Sequence, residues 1–343
     1  LRIAVIAITK NGKEIALRIK DKLNCDIFMP IKFKDNNNNI IFYEEETPLL
    51  IGRLFKEYNA IVCIFSLGAV IRMIANHLKD KRSDPAVITI DDKAKFVIST
   101  LSGHLGGANT LTNTIASILN AMPVITTAAD VNETIAVDLL GKEFGWEIED
   151  HNITKVSADM VNNEPIGLYQ DSGERINNLP TNVKVFESLD MLKRSDSKSY
   201  LIITNKVIDD NTILERSVIY RPKNLIVGIG LHYDTTKEEI KNGIEDTFRK
   251  YKLSLRSIKA IATIKRVNGL EEYCKENNLQ IIYYKKEELA DIQVPNPSEI
   301  VKKYESISSV AEASALLASK GRLIVEKQKY PPNLTVAVAE VKL

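Results

Sequence analysis

Residues 96–119, FVISTLSGHLGGANTLTNTIASIL, read as an apolar strand, a glycine-rich corner and a helix with apolar residues at Leu111, Ile115, Ile118 and Leu119. The corner, Ser102-Gly103-His104-Leu105-Gly106-Gly107-Ala108-Asn109, gathers small and polar residues where a strand hands over to a helix. Glycine lets backbone approach a ligand closely, and a helix N-terminus presents unpaired N–H groups to anions. A tight corner with no chemistry gives the same pattern. Working outward, the first 140 residues repeat this unit. Strand candidates lie at 2–8, 60–65, 86–90, 95–99 and 123–126, and helical periods run through Ile15, Ile19, Leu23 and Val70, Ile74, Leu78. Such alternation predicts an α/β domain with a largely parallel sheet. The tract Asp35–Asn39 reads as a surface loop.

Beyond residue 144 the pattern changes. Residues 145–222 are richer in Asn, Asp and Ser, with short apolar runs, and read as a small α+β segment. At Lys223 a third unit begins. Leu225–Gly230 is a buried strand, and a helix follows it, capped at Thr235 or Thr236 with Glu239 nearby. Asn296-Pro297-Ser298-Glu299 has the look of a helix start, and Ser309-Val310-Ala311-Glu312 has capping-box spacing. The expected fold is therefore α/β. Two α/β domains, N-terminal doubly wound-like (1–143) and C-terminal three-layer α/β/α (223–343), are joined by the small α+β middle segment (144–222).

Composition narrows the partners. A chain of 343 residues, 44% hydrophobic and 27% charged, is of ordinary globular make-up and long enough for two or three domains. With 46 basic and 45 acidic residues the net charge is +1, so no global field points to nucleic acid or an anionic membrane. No apolar run approaches the roughly 20 residues of a membrane span. The first residues form a strand rather than a signal peptide, and a cytoplasmic protein is expected. Cys25, Cys63 and Cys274, with His77, His104, His151 and His232, show no metal-ligand spacing, so no metal site is expected.

Neither Gly103–Gly107 nor Gly228-Ile229-Gly230 fits a dinucleotide or P-loop fingerprint. Two further corners carry small polar residues: Ser66-Leu67-Gly68, before a helix bearing Arg72, and Thr126-Thr127 with Asp130. Because ligands of open α/β sheets bind beyond strand carboxyl ends, these corners and Ser102–Asn109 are expected to form one cleft. Lys265, Arg266 and the basic residues between Arg72 and Arg82 suit carboxylates on a substrate.

Taken together, the segments resemble the cobalt-precorrin-5A hydrolase family of anaerobic cobalamin biosynthesis. The resemblance lies in SLGAVIR (66–72), KRSDPAVITI (81–90), LSGHLGGAN (101–109) and PVITTAADVNETIAVD (123–138). It continues in VGIG (227–230), IATIK (261–265), VPNPS (294–298), SVAEASALLA (309–318) and VEKQK (325–329). Ser66-Leu67-Gly68 departs from the family's alanine–threonine–glycine type sequence.

The resemblance implies opening of the ring-A δ-lactone of cobalt-precorrin-5A, with release of acetaldehyde to give cobalt-precorrin-5B. It implies no resident cofactor, because cobalt arrives inside the tetrapyrrole substrate. Lactone opening needs a base near neutral pH and donors for an oxyanion. His104 is the expected base, Asp130 its orienting partner, and Ser102 an alternative nucleophile. Gly68, Arg72, Gly103, Gly106, Gly107, Asn109, Thr126 and Thr127 are expected around the substrate, with Lys265, Asn296, Ser298 and Lys327 from the third unit and Glu312 as a helix cap. A homodimer and transient contacts with neighbouring pathway enzymes are the expected associations. A noncatalytic tetrapyrrole carrier, or a phosphate- or nucleotide-binding enzyme using the glycine corner, are the rival readings.

Overall fold

A computed structural model describes residues 1–80, 83–103, 106–127, 134–149, 152–297 and 309–342. These fall into two compact units, Leu1–Leu139 and Leu140–Leu343. Among the described residues no helix is long and apolar enough to cross a membrane.

The first unit is a seven-stranded sheet. Its strands are β1 (Ile3–Ala7), β2 (Asp26–Pro30), β3 (Ile40–Tyr43), β4 (Ala60–Ile64), β5 (Ala86–Ile90), β6 (Phe96–Leu101) and β7 (Met122–Val124), in the order β3-β2-β1-β4-β5-β6-β7. Its helices are α1 (Lys10–Lys20), α2 (Thr47–Glu57), α3 (Leu67–Ile74) and α4 (Ala108–Leu119). Side chains alternate across the sheet. Ile3, Val5 and Ala7 meet Ile15 and Ile19 of α1 and Ile115 of α4. Ala4 and Ile6 meet Leu50 and Leu54 of α2 and Val70 and Ile74 of α3. Burial on both faces explains why strands such as Ala60–Ile64 are apolar throughout.

Strands β3 to β5 run parallel, but β6 pairs antiparallel with β5 (Ile90↔Val97, Val87↔Leu101), and β7 runs parallel to β6. The cause is local. Only five residues join β5 to β6, far fewer than the dozen or more a parallel crossover needs. Asp91 closes the turn, its carboxylate accepting from the Lys93, Lys95 and Phe96 N–H groups at 3.1, 2.8 and 2.6 Å.

The second unit carries two sheets. The middle segment, expected as a small α+β insert, holds five strands: β8 (Glu147–Glu149), β9 (Ile166–Gln170), β10 (Val183–Phe186), β11 (Ser199–Ile203) and β12 (Ser217–Arg221). Their order is β10-β9-β11-β12-β8, all parallel except β8. The C-terminal sheet orders β13 (Leu225–Leu231), β14 (Ile258–Thr263), β15 (Gln280–Tyr283), β16 (Arg322–Tyr330) and β17 (Leu334–Glu340) as β15-β14-β13-β17-β16. Helices α5 (Lys237–Lys250) and α6 (Asn268–Glu276) cover the face presented by Val227 and Ile229. Helix α7 (Val310–Ser319) covers the other face. Three layers result. Asn205 and Asn224 both donate to the Glu340 carboxylate, at 3.0 and 3.2 Å, and tie the two sheets of this unit together.

Candidate functional site

In the first unit the glycine corner closes on itself. The N–H groups of Ala108 and Asn109 turn back to the Ser102 and Gly103 carbonyls, at 3.1 and 3.0 Å. Gly107 sits at φ 82° as it starts α4, a left-handed conformation that a side chain would strain. The N–H groups of Gly106 and Gly107 have no partner among the described residues, which leaves two donors at a helix N-terminus.

Asn109 is the post of the corner. It is buried; its Oδ1 accepts from Ser99 Oγ at 2.6 Å and its Nδ2 donates to Thr127 Oγ1 at 3.0 Å. Gly103 lies against both Asn109 and Thr127, and exposed Thr126 adjoins them. Ser102, also at positive φ, donates its hydroxyl to the Asp84 carbonyl at 3.0 Å. A carbonyl holds that proton but does not remove it, so this bond does not activate Ser102 as a nucleophile. His104 and Asp130 lie outside the described residues, as does Ser298.

The expectation of a single cleft from three corners is corrected by the sheet. Ser102–Asn109 and Thr126-Thr127 come together, because β6 and β7 end at the same edge, beside Asp84. Ser66-Leu67-Gly68 follows β4, whose last residue pairs with Ile90 at the opposite edge. Gly68 has open space where a side chain would be, and Arg72 lines a groove between α2 and α3 with Gly52, Arg53, Asn76 and His77. The reversal of β6 separates the two groups. The five-residue gap after Ile90 was the signal in the sequence.

The second unit holds a cavity of about 510 Å³ at the carboxyl ends of β13 and β14. Gly230 lies near the end of β13 and His232 follows it, Thr263 ends β14 and Lys265 follows it, Ser309 and Val310 open α7, and Lys327, Lys329 and Tyr330 come from β16. Lys265 Nζ stands 5.2 Å above the Tyr233 ring.

Glu312 corrects a second expectation. Rather than capping α7 it is fully buried, and it accepts from the Asn296 N–H (3.2 Å), Asn296 Nδ2 (2.9 Å) and the Lys327 N–H (3.0 Å). Asn296 also donates to Glu326 at 2.9 Å, and its carbonyl accepts from Lys327 Nζ. One carboxylate thus fixes the backbone from which Lys327 projects. Ser309 makes no cap bond; its hydroxyl is buried with no partner among the described residues. Burial pushes the Lys327 ammonium below its ordinary range, Lys329 acts in the same direction, and Glu312 opposes them. Sequence reasoning missed Glu312, Ser309, Lys329 and His232. A lone glutamate among the small and apolar residues of Val310–Ser319 was the available signal.

Family models match all three segments. "Cobalamin synthesis G N-terminal" covers residues 50–130, "Cobalamin biosynthesis central region" 135–222, and "Cobalamin synthesis G C-terminus" 225–339. A cobalt-precorrin-5A hydrolase from Priestia megaterium is 40% identical over 98% of this chain and 94% of its own. Another from Salmonella typhimurium is 29% identical over 98% of this chain and 97% of its own.

Proposed function

The chain belongs to the cobalt-precorrin-5A hydrolase family, and from that premise we propose that it converts cobalt-precorrin-5A and water into cobalt-precorrin-5B and acetaldehyde. The observation that carries this reading is the 40% identity to a hydrolase of that name along 98% of the chain.

The glycine corner supplies the chemistry in this reading. His104 takes a proton from water, hydroxide adds to the lactone carbonyl, and the N–H groups of Gly106 and Gly107 receive the oxyanion. Collapse expels the ring oxygen as a hydroxyl on the methyl-bearing meso carbon. Loss of that proton breaks the bond from this carbon to the macrocycle. The carbon leaves as acetaldehyde, and the bonding electrons pass to the cobalt macrocycle. Asp130 orients His104, Asn109 holds the corner in shape, and Lys265 and Lys327 bind substrate carboxylates. Cobalt is part of the substrate, and the enzyme needs no resident cofactor. It works in the cytoplasm, and a homodimer with transient contacts to neighbouring pathway enzymes is the expected assembly, tested by light scattering.

The test is anaerobic incubation with cobalt-precorrin-5A, trapping acetaldehyde and following the corrinoid mass. Acetaldehyde from wild type and none from His104→Ala supports the reading and the base. Release by both keeps the reaction and removes His104 from it. Binding without release refutes the hydrolase reading.

A further inference from the structure

The groove between α2 and α3, about 820 Å³ in volume, holds a histidine that the hydrolase chemistry leaves unused. His77 lines it just after α3, at the end of a single 3-10 turn, Ala75–His77. Two contacts set its ring. Gly52 of α2 makes room for the imidazole, since a Cβ there would stand 2.7 Å from His77 Cε1 and 2.8 Å from Nε2. The Phe55 ring lies 6.0 Å away, centroid to centroid, tilted by 37°. Neither imidazole nitrogen has a hydrogen-bond partner among the described residues. A ring held by packing alone beside an open groove keeps its nitrogen lone pair for a ligand.

Neutral imidazole is the commonest protein ligand for a metal. A free ion asks for several such groups, and the described residues hold no cluster of three His, Cys, Asp or Glu side chains suited to one. A metal already held by the nitrogens of a macrocycle asks only for an axial donor, which one histidine supplies. The rest of the groove suits such a macrocycle. Pro48, Leu49, Ala69 and Met73 give it apolar surface, and Leu49, 64% exposed, is covered by a flat ring seated there. Lys56 and Arg72 line the groove and are exposed, so they can meet peripheral carboxylates without first leaving water. Arg53 is engaged by Glu45 at 2.7 Å and Glu57 at 3.8 Å and plays no part.

We infer that this groove is a second tetrapyrrole site, in which His77 is an axial ligand to cobalt carried by the macrocycle, Leu49 and Met73 lie against the ring, and Lys56 and Arg72 meet its carboxylates. Helices α2 and α3 cover the sheet face opposite α1 and α4, so the groove stands apart from the glycine corner that starts α4. It holds the macrocycle without acting on it. That the macrocycle is a cobalt-precorrin rests on the hydrolase reading; that the groove takes a macrocycle-held cobalt does not.

Uroporphyrin III, metal-free and as its cobalt(II) complex, serves as the probe of the untagged full-length protein, titrated anaerobically by calorimetry at low salt. The metal-free porphyrin reads carboxylate contacts wherever they lie; the cobalt form adds the axial bond. Wild type is expected to bind the cobalt form about tenfold more tightly than the metal-free one. The electron paramagnetic resonance of the bound cobalt(II) should be split by one axial nitrogen. Both signs should vanish in His77→Gln, which keeps a polar side chain in the groove but no imidazole. Gly52→Ala favours the helix yet pushes on the ring, and should lower the preference for cobalt severalfold. No axial nitrogen in wild type overturns the inference. So does a splitting that survives His77→Gln and disappears in His104→Ala or His232→Ala. The acetaldehyde assay is independent. An axial nitrogen from His77 in a chain that releases no acetaldehyde leaves the groove standing while the hydrolase reading falls. Acetaldehyde release by a chain showing no axial nitrogen does the reverse.

Discussion

The glycine corner and the lysine cavity solve opposite problems with similar parts. Both stand at a helix N-terminus beside strand ends. In the corner the polar side chains are already committed to one another: Ser102 to Asp84, and Asn109 to Ser99 and Thr127. Among the described residues of the corner, the backbone donors of Gly106 and Gly107 are left over, uncharged and fixed. In the cavity the backbone is secured by Glu312, and lysine side chains and one buried hydroxyl line the space. Preorganised neutral donors suit charge that develops during a reaction, because they need no reorganisation when it appears. Ammonium groups on long stems suit charge a substrate brings with it. The proposed division, chemistry in the corner and grip in the cavity, rests on that difference.

The contrast breaks most visibly in kinetics. His104→Ala should lower kcat by about 10²-fold or more with little change in KM, the range for losing a general base. Lys329→Gln should raise KM about tenfold and spare kcat, as for a contact equally strong in ground and transition states. Steady-state acetaldehyde release measures both, and the reverse split would exchange the roles of the two regions. Next in size is Glu312→Ala. It leaves the half-buried Asn296 and Lys327 donors without their acceptor and should cost about 3 kcal/mol in urea unfolding.

Why the two regions differed in legibility is a matter of periodicity. Strands at 2–8, 60–65, 86–90, 95–99 and 123–126 announce themselves as apolar runs and recur as β1, β4, β5, β6 and β7. β2 and β3 escape notice because Asp26–Pro30 has only three apolar residues between an aspartate and a proline, and Ile40–Tyr43 is four residues long beside a polar loop. Strand direction is not written in apolar pattern at all, so the meeting of three corners was an inference about orientation that the turn at Asp91 reverses. In the cavity, Lys265 and Lys327 are legible as basic residues near strand ends. Glu312 is not, since Ser-x-x-Glu spacing fits a surface cap and an inward carboxylate equally well. Only packing decides between them. Gly228 leaves room for α7 so near the sheet that a Cβ there would stand 1.9 Å from the Ala311 carbonyl oxygen, and that approach turns Glu312 inward.

A smaller effect sharpens the contrast from the corner's side. Asn109→Ala removes the side-chain bonds to Ser99 and Thr127 but no charge, and should cost about 1–2 kcal/mol in urea unfolding. It should lower kcat, because Gly106 and Gly107 lose the post that aims them. Porphyrin affinity should stay at the wild-type value. A fall in affinity equal to that in kcat would mean that the corner grips as well as reacts.

The smallest effect is a shift in pH dependence. Lys327 faces Glu312 from α7, Lys329 from its own strand, and Lys265 and His232 from the ends of β14 and β13. Burial, then Lys329, lower its affinity for a proton, and Glu312 raises it. Its folded value therefore lies below 10.5, the ordinary value that the unfolded chain recovers. Between those two values the unfolded state holds more protons, so this group makes the fold more stable as pH rises. Carboxylate binding runs the other way, since it needs the ammonium form, and porphyrin affinity should decline over the same window. Glu312→Gln keeps an oxygen for the Asn296 side chain and the Lys327 N–H but removes the charge that retains the proton. The alkaline decline in affinity should then begin at lower pH than in wild type. A structural clamp alone would lower affinity at every pH and leave the midpoint where it was, so calorimetric titrations across that limb separate positioning by charge from positioning by shape.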